Sequence, residues 1–232
     1  MVSAQDKVAD IVISHSECAP VFQKHKIDFC CNGGVSLEEA AKKRGVDAAL
    51  LISELQSAIA QREGGPAGDA RDLSTTALIA TIIANHHEYL RKILPFLVPL
   101  AAKVGNVHGD HDPKLKDLAR VVKELSDAMI PHLDKEERTL FPALMTGKPD
   151  PRIIKDELDA MVKEHLEVAA LLELIHKATD DYTLPDWACN SYRTLFAELE
   201  SMESDILRHV HLENHVLMPR FTEAAPAAAS AN

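Results

Sequence analysis

The chain has no run of basic residues, few aromatic side chains and no long apolar stretch. Lys and Arg number 25 against 36 Asp and Glu, for a net charge of −11. Nothing therefore supplies the positive footprint that a phosphate backbone or an anionic lipid surface requires, and neither nucleic acid nor membrane is an expected partner. The longest uninterrupted apolar stretch, "ILPFLVPLAA" at 93–102, is broken by two prolines and falls far short of the roughly 20 residues a bilayer crossing needs. The opening "MVSAQDKVADIVISHSE" is interrupted by charge before a secretory core can form. The expected location is cytoplasmic. Four cysteines, two of them adjacent, do not make a secreted disulfide framework. In a reducing compartment they are thiols, metal ligands or redox groups.

What is present favours helices. The chain is 46% hydrophobic with one Trp, three Tyr and six Phe, so its core must be built of Leu, Ile, Val and Ala, and the expected fold class is all-α. The stretch "QREGGPAGDARD" at 61–72 concentrates Gly, Pro and Ala between two helical patterns, as an interdomain linker does. This gives a small N-terminal helical domain at 1–62, a linker at 63–72, a larger domain at 73–222 and a disordered tail at 223–232 with little to bury. The first domain carries helical segments near 6–14, 17–26 and 47–61, and "SLEEAAKKRG", in which Ser36 and Glu39 are spaced for a capping box. A domain of about 60 residues with so few aromatics is marginal alone and is expected to lean on its neighbour. The second carries four long helical patterns, near 73–103, 113–145, 151–178 and 186–222. The breaks "GNVHGDHDP", "TGKPDP" and "TDDYTLPD" each offer an Asp, with Pro beside it, to cap the next helix. Four such helices with short connections make an up-down-up-down bundle.

An internal repeat selects among twelve histidines. "HLDKEERTLFP" at 132–142 and "HVHLENHVLMP" at 209–219 share His, three residues, Glu, three residues, Leu, an apolar residue and Pro, at an offset of 77. The helix before each carries another histidine, His87 and His165, 78 apart. Choosing His86 instead breaks that agreement and turns the side chain about a quarter turn round the helix. Residues four apart share a helix face, which pairs His132 with Glu136 and His209 with Glu213. His211 and His215 lie about 200° and 240° round from His209 and belong to another face.

The bundle interior is thus expected to receive His87, His132, Glu136, His165, His209 and Glu213. Six such ligands exceed what one metal takes. Two metals could each take two imidazoles and share both carboxylates, and this donor set suits Fe, Mn or Zn. The carboxylate-rich ferritin pattern needs two Glu-x-x-His motifs, and the chain has one, Glu173 to His176. Burying the six groups without a metal would be very costly. Single histidines on helix faces are ordinarily structural, and His15, His25, His86, His108, His111 and His176 are read that way. His211 and His215, four apart, could chelate a surface metal.

The bundle with His-x3-Glu-x3-Leu-Phe-Pro resembles hemerythrin-like di-iron domains. With the adjacent cysteines of "DFCCNGG" in a small preceding domain, the chain over residues 1 to about 222 resembles the RIC family, the repair-of-iron-centres proteins of ScdA/YtfE/NorA type. The resemblance implies a non-haem centre of two iron ions, oxo-bridged when oxidised, held by the same six residues. It also implies a role in restoring iron–sulfur clusters after nitrosative or oxidative stress, with nitric oxide, and O2 as a further candidate, as small ligand and damaged or apo iron–sulfur proteins as partners. Hemerythrins proper carry a fifth histidine without counterpart here, which favours reactivity or iron release over oxygen carriage. Two functions are compatible with this: a di-iron protein that reduces nitric oxide to N2O or donates iron using the N-terminal thiols, and a binding module that senses or sequesters NO, O2 or iron without turnover. Either could act as monomer or homodimer.

Cys30 and Cys31 are the candidate reactive groups, as acceptors of nitrosyl or persulfide, as reductant, or as a vicinal disulfide; inert packing is the plain alternative. A zinc site from Cys18, His25, Cys30 and Cys31 has a spacing unlike known ribbons and fingers. Cys189, beside Trp187, reads as packing. Glu164, next to His165, is a candidate proton relay or support for a ligand, and could equally be a solvated helix residue.

Overall fold

The computed structural model describes residues 2–62, 69–146 and 151–222. It is all-α, and among those residues β pairing is confined to one isolated bridge between Lys7 and Ser36. The expected tail at 223–232 and most of the expected linker lie outside the described residues. Four helices come first: α1 (Val8–Ser14), α2 (Ala19–Lys24), α3 (Leu37–Arg44) and α4 (Ala48–Gln61). They are followed by α5 (Thr75–Ile82), α6 (Glu88–His108), α7 (Lys114–Lys135), α8 (Phe141–Met145), α9 (Pro151–Thr179), α10 (Asn190–Leu212) and α11 (Pro219–Thr222). None of the described helices is long and apolar enough to cross a membrane.

The chain divides into two compact units, one of Met1–Ile79 with Leu207–Asn232, the other of Ala80–Ile206. In the first, Val8, Phe22, Leu37, Leu51 and Leu55 are fully buried. The capping box expected from the sequence forms: Ser36 Oγ accepts from the Glu39 amide and the Glu39 carboxylate accepts from the Ser36 amide, both at 3.2 Å. Gly45, at φ 69°, ends α3 in the left-handed conformation that costs glycine nothing. The small domain does not stand by itself. Arg220, near the far end of the chain, donates to the carbonyls of Ala70 and Arg71, each at 3.4 Å, so the C-terminal segment contributes to the unit built by the first 79 residues.

In the second unit, α6 buries Leu90, Leu94, Leu97, Ala101 and Val104, and α7 buries Leu118, Val122, Leu125 and Met129. These three- and four-residue steps are the apolar stripes of bundle helices. Gly105 permits close approach where α6 turns toward α7, because a Cβ there would lie 2.8 Å from the Leu115 carbonyl oxygen. The N-cap of α7 is Pro113, which offers no side-chain cap, and the expected Asp112 stands one residue earlier, where its carboxylate accepts from the Lys114 amide at 3.1 Å. The last long helix departs from expectation. It begins at Asn190, and directly after α9 Asp180, Asp181 and Tyr182 take left-handed backbone in series (φ 48°, 57° and 58°). Asp186 offers its backbone carbonyl to Arg193 at 3.5 Å. Asp150 lies outside the described residues.

Candidate metal centre

Three of the candidate ligands sit on wide, π-helical turns. Ile83–His87, Glu136–Leu140 and Glu213–Leu217 each widen the helix by one residue. In each, the following amide reaches back five residues: Glu88 to Ile83, Phe141 to Glu136 and Met218 to Glu213. Such bulges are rare and gather at functional sites. They also account for the proline ending both halves of the repeat. Pro142 and Pro219 have no N–H for the ordinary helical bond, and each follows a turn whose ladder has already slipped.

Within the Ala80–Ile206 unit, four candidate ligands meet. His87, His132, Glu136 and His165 are at most 4% exposed. Glu136 stands between two imidazoles: its Oε2 lies 3.5 Å from His87 Nε2 and its Oε1 lies 3.4 Å from His132 Nε2. His165 joins them, one ligand atom each of His132, Glu136 and His165 lying within 4.8 Å of the others. The far nitrogens fix the ring states. His87 Nδ1 bonds Glu137 Oε1 at 2.9 Å and His132 Nδ1 bonds Glu164 Oε2 at 2.7 Å. Carboxylates accept and do not donate, so each Nδ1 carries a proton and each Nε2 is the nitrogen turned toward Glu136. Imidazole nitrogens facing a buried carboxylate at 3.4–3.5 Å, longer than an ordinary hydrogen bond, leave room for a cation between them. The residues present therefore fit a metal, and the one-oxygen-per-imidazole placement of Glu136 suits a carboxylate shared by two.

The supporting carboxylates are ionised. Burial works against the charge on Glu137, but bonds from His87 and Arg91 outweigh it and hold the carboxyl below its ordinary value. Burial likewise opposes the charge on Glu164, and His132 and Lys135 overcome it. Glu164 thus touches a candidate ligand rather than open solvent alone. Glu137 was not singled out from the sequence. Its only signal was adjacency to Glu136, and nothing local says that it reaches His87 across 50 positions. Phe141, from the repeat's Leu-Phe-Pro, stacks on His87 with centroids 5.6 Å apart.

His209 and Glu213, in the other unit, are completely buried and lie 3.0 Å apart from Nε2 to Oε1. Neighbouring histidines point elsewhere. His86 bonds Asp205 at 2.9 Å. His211 is buried and His215 partly exposed, so the pair does not present a surface chelate. His211 is 2% exposed and its Nδ1 donates to the Phe29 carbonyl at 2.9 Å; burial first of all pushes its pKa down to about 4. His215 bonds the backbone of Cys30.

Cys30 and Cys31 lie with their Sγ atoms 3.6 Å apart. Cys30 is buried and Cys31 partly exposed. Asn214 donates to the Cys30 carbonyl at 3.0 Å. Gly33 serves this loop by taking no space: a Cβ would fall 2.5 Å from the Phe29 carbonyl oxygen and 2.8 Å from Ala9 Cβ. Cys18 and His25 are engaged elsewhere, Cys18 with the Leu55 carbonyl at 3.8 Å and His25 with Glu54, so the four-residue zinc set is not assembled. Cys189 is exposed rather than packed, 3.2 Å from His108 Nε2.

Known proteins match the chain along nearly its whole length. Residues 78–221 match the hemerythrin HHE cation binding domain, and residues 4–59 match ScdA_N, a domain of unknown function. The chain is 33% identical over 224 residues to the iron-sulfur cluster repair protein ScdA of Staphylococcus haemolyticus, covering 96% of this chain and all of that one. It is also 33% identical over 210 residues to the iron-sulfur cluster repair protein YtfE of Yersinia pseudotuberculosis, covering 90% and 93%.

Proposed function

The chain belongs to the hemerythrin HHE cation binding family and, along nearly its whole length, to the ScdA and YtfE family of iron-sulfur cluster repair proteins, and from that premise we propose that it is a non-haem di-iron protein that helps restore iron–sulfur clusters damaged by nitrosative or oxidative stress. The ligands in this reading are His87, His132, Glu136, His165, His209 and Glu213. The observation that carries it is the Glu136 carboxylate, whose two oxygens face the Nε2 atoms of His87 and His132 separately.

Iron, when bound, supplies redox chemistry and an affinity for NO or O2. The chain's own residues hold and shield it. Glu137 and Glu164 keep the Nδ1 protons of His87 and His132 in place, so that Nε2 stays available and the rings stay oriented. Glu164 is on this account a positioning residue rather than a proton relay. Complete burial of His87, His209 and Glu213 keeps bulk water from those donors. Cys30 and Cys31 are the thiols assigned to repair, with the partly exposed Cys31 as the one a partner protein can reach. Damaged or apo iron–sulfur proteins are the expected partners, in the cytoplasm.

The test is repair in vitro. An iron–sulfur enzyme inactivated by NO is incubated anaerobically with the iron-loaded protein, with its Glu136→Ala variant and with a Cys30→Ser/Cys31→Ser variant. Recovery is expected with the parent protein and is expected to fail or weaken with each variant. Equal recovery with iron-loaded and iron-free protein overturns the proposal. Headspace N2O after mixing with excess NO separates turnover from binding alone.

A further inference from the structure

We propose that the loop Asp28–Cys31 is a further metal site, one that takes a single divalent cation of borderline softness, such as Zn²⁺ or Fe²⁺, through the Cys30 and Cys31 thiolates and the Asp28 carboxylate. All three residues belong to the Met1–Ile79 stretch, and none is among the six histidine and glutamate ligands assigned above. One ligand atom from each lies within 4.8 Å of the other two.

The spacing of the sulfurs is the first argument. Metal–thiolate bonds of about 2.3 Å at a tetrahedral angle put two sulfurs roughly 3.8 Å apart, whereas a disulfide needs about 2.0 Å. The observed separation is 3.6 Å, close to the chelate value. Charge is the second. Asp28 accepts from the amides of Cys30 and Cys31 at 3.1 and 2.8 Å and from Asn32 Nδ2 at 2.6 Å. Burial opposes its charge, but these bonds outweigh the cost and keep it ionised. A fixed anion 3.4 Å from Cys30 Sγ discourages a bare thiolate there. The Cys30 thiol is pushed well above its ordinary value by its bond with Cys31, by burial and by Asp28. The loop is thus poorly arranged for a resting nucleophile, and a divalent cation converts the same crowding of negative groups into ligation.

The third argument lies on the C-terminal segment of the same unit. His211 donates Nδ1–H to the Phe29 carbonyl at 2.9 Å, and His215 bonds the Cys30 backbone. The two rings lie 5.2 Å apart, and each has a buried Nε2 with no hydrogen-bond partner. The two backbone bonds tie the loop to the C-terminal segment of the same unit and so hold its two sulfurs and its oxygen in place. Three protein donors leave a coordination position open, and the partly exposed Cys31 marks the side from which solvent or exchanging metal enters. Binding releases two thiol protons to solvent and moves no electrons.

Cobalt is the probe. The full-length protein, with its histidine–glutamate centre already loaded with iron, is titrated anaerobically with Co²⁺. A thiolate-to-cobalt charge-transfer band saturating at one equivalent per chain is expected, and excess Zn²⁺ should erase it. The band should vanish in Cys30→Ser/Cys31→Ser and shrink in the single Cys31→Ser variant, which alters only the partly exposed thiol and guards against misfolding. Asp28→Asn should weaken cobalt binding about tenfold or more. A His132→Ala variant should retain the band, which separates this site from the iron centre and makes the result independent of whether the protein repairs clusters. Absence of a thiolate band at equivalence in the parent protein, or its persistence in the folded double variant, overturns the proposal.

Discussion

Replacing Glu137 by alanine removes the carboxylate that holds the Nδ1 proton of His87 at 2.9 Å and also receives Arg91 at 3.0 Å. Loss of such a carboxylate partner typically costs a metal site 10–100-fold in affinity. Glu137 is 31% exposed, so water can take over part of the bond, and the lower end applies: about tenfold, or about 1.4 kcal/mol. Glu164 supports His132 at 2.7 Å and is 34% exposed, so Glu164→Ala should cost about the same. Together they should cost about a hundredfold if the imidazoles act independently, and less if Glu136, which faces both, couples them. The assay is competition against a chelator of known affinity at neutral pH. Asp205→Asn, which disturbs His86, is the control and should leave affinity unchanged. Unaltered affinity in both glutamate variants, or an equal loss in the control, would refute the claim that these carboxylates act through the ligand histidines.

Two further expectations concern stability. His176 is raised above its ordinary pKa by its bond to Glu203, against burial, with help from Asp181. A raised folded-state value means that the contribution is complete below the ordinary histidine value and disappears as pH climbs through the raised one. His176→Gln should therefore destabilise more at about pH 5.5 than at about pH 9 in urea unfolding; an equal or larger cost at the higher pH contradicts this. Gly33→Ala drives a methyl into the Phe29 carbonyl and Ala9. It should cost about 1–3 kcal/mol in the same experiment and weaken cobalt binding at the cysteine loop, while a neutral Gly33→Ala would show that the loop yields without consequence.

Much of this was legible in short-range pattern. The capping box at Ser36 follows from two residues three apart, and the repeat offsets that favoured His87 over His86 rest on spacing alone. In the structure His87 Nε2 faces Glu136 while His86 turns to Asp205. What stayed hidden depends on distant contacts. His211 meets Phe29 across 182 positions, and no helical wheel reports that its far face is covered. Glu137 carries no local signal beyond standing next to Glu136, and its role appears only with Arg91 and His87 placed against it. The π-helical turns were invisible too, because they depend on which carbonyl each amide chooses rather than on composition. The break after α9 runs through three consecutive left-handed residues, none of them glycine, which no turn signature announces.

The central claim is a two-iron centre in which Glu136 serves both metals. It is tested most directly by iron content per chain, with Mössbauer spectra, for the anaerobically reconstituted full-length protein and its Glu136→Ala variant. The account predicts two iron ions per chain with the coupled spectrum of a bridged pair in the parent, and loss of both iron and coupling in the variant. One iron or none in the parent, or a variant that still holds a coupled pair, would contradict it.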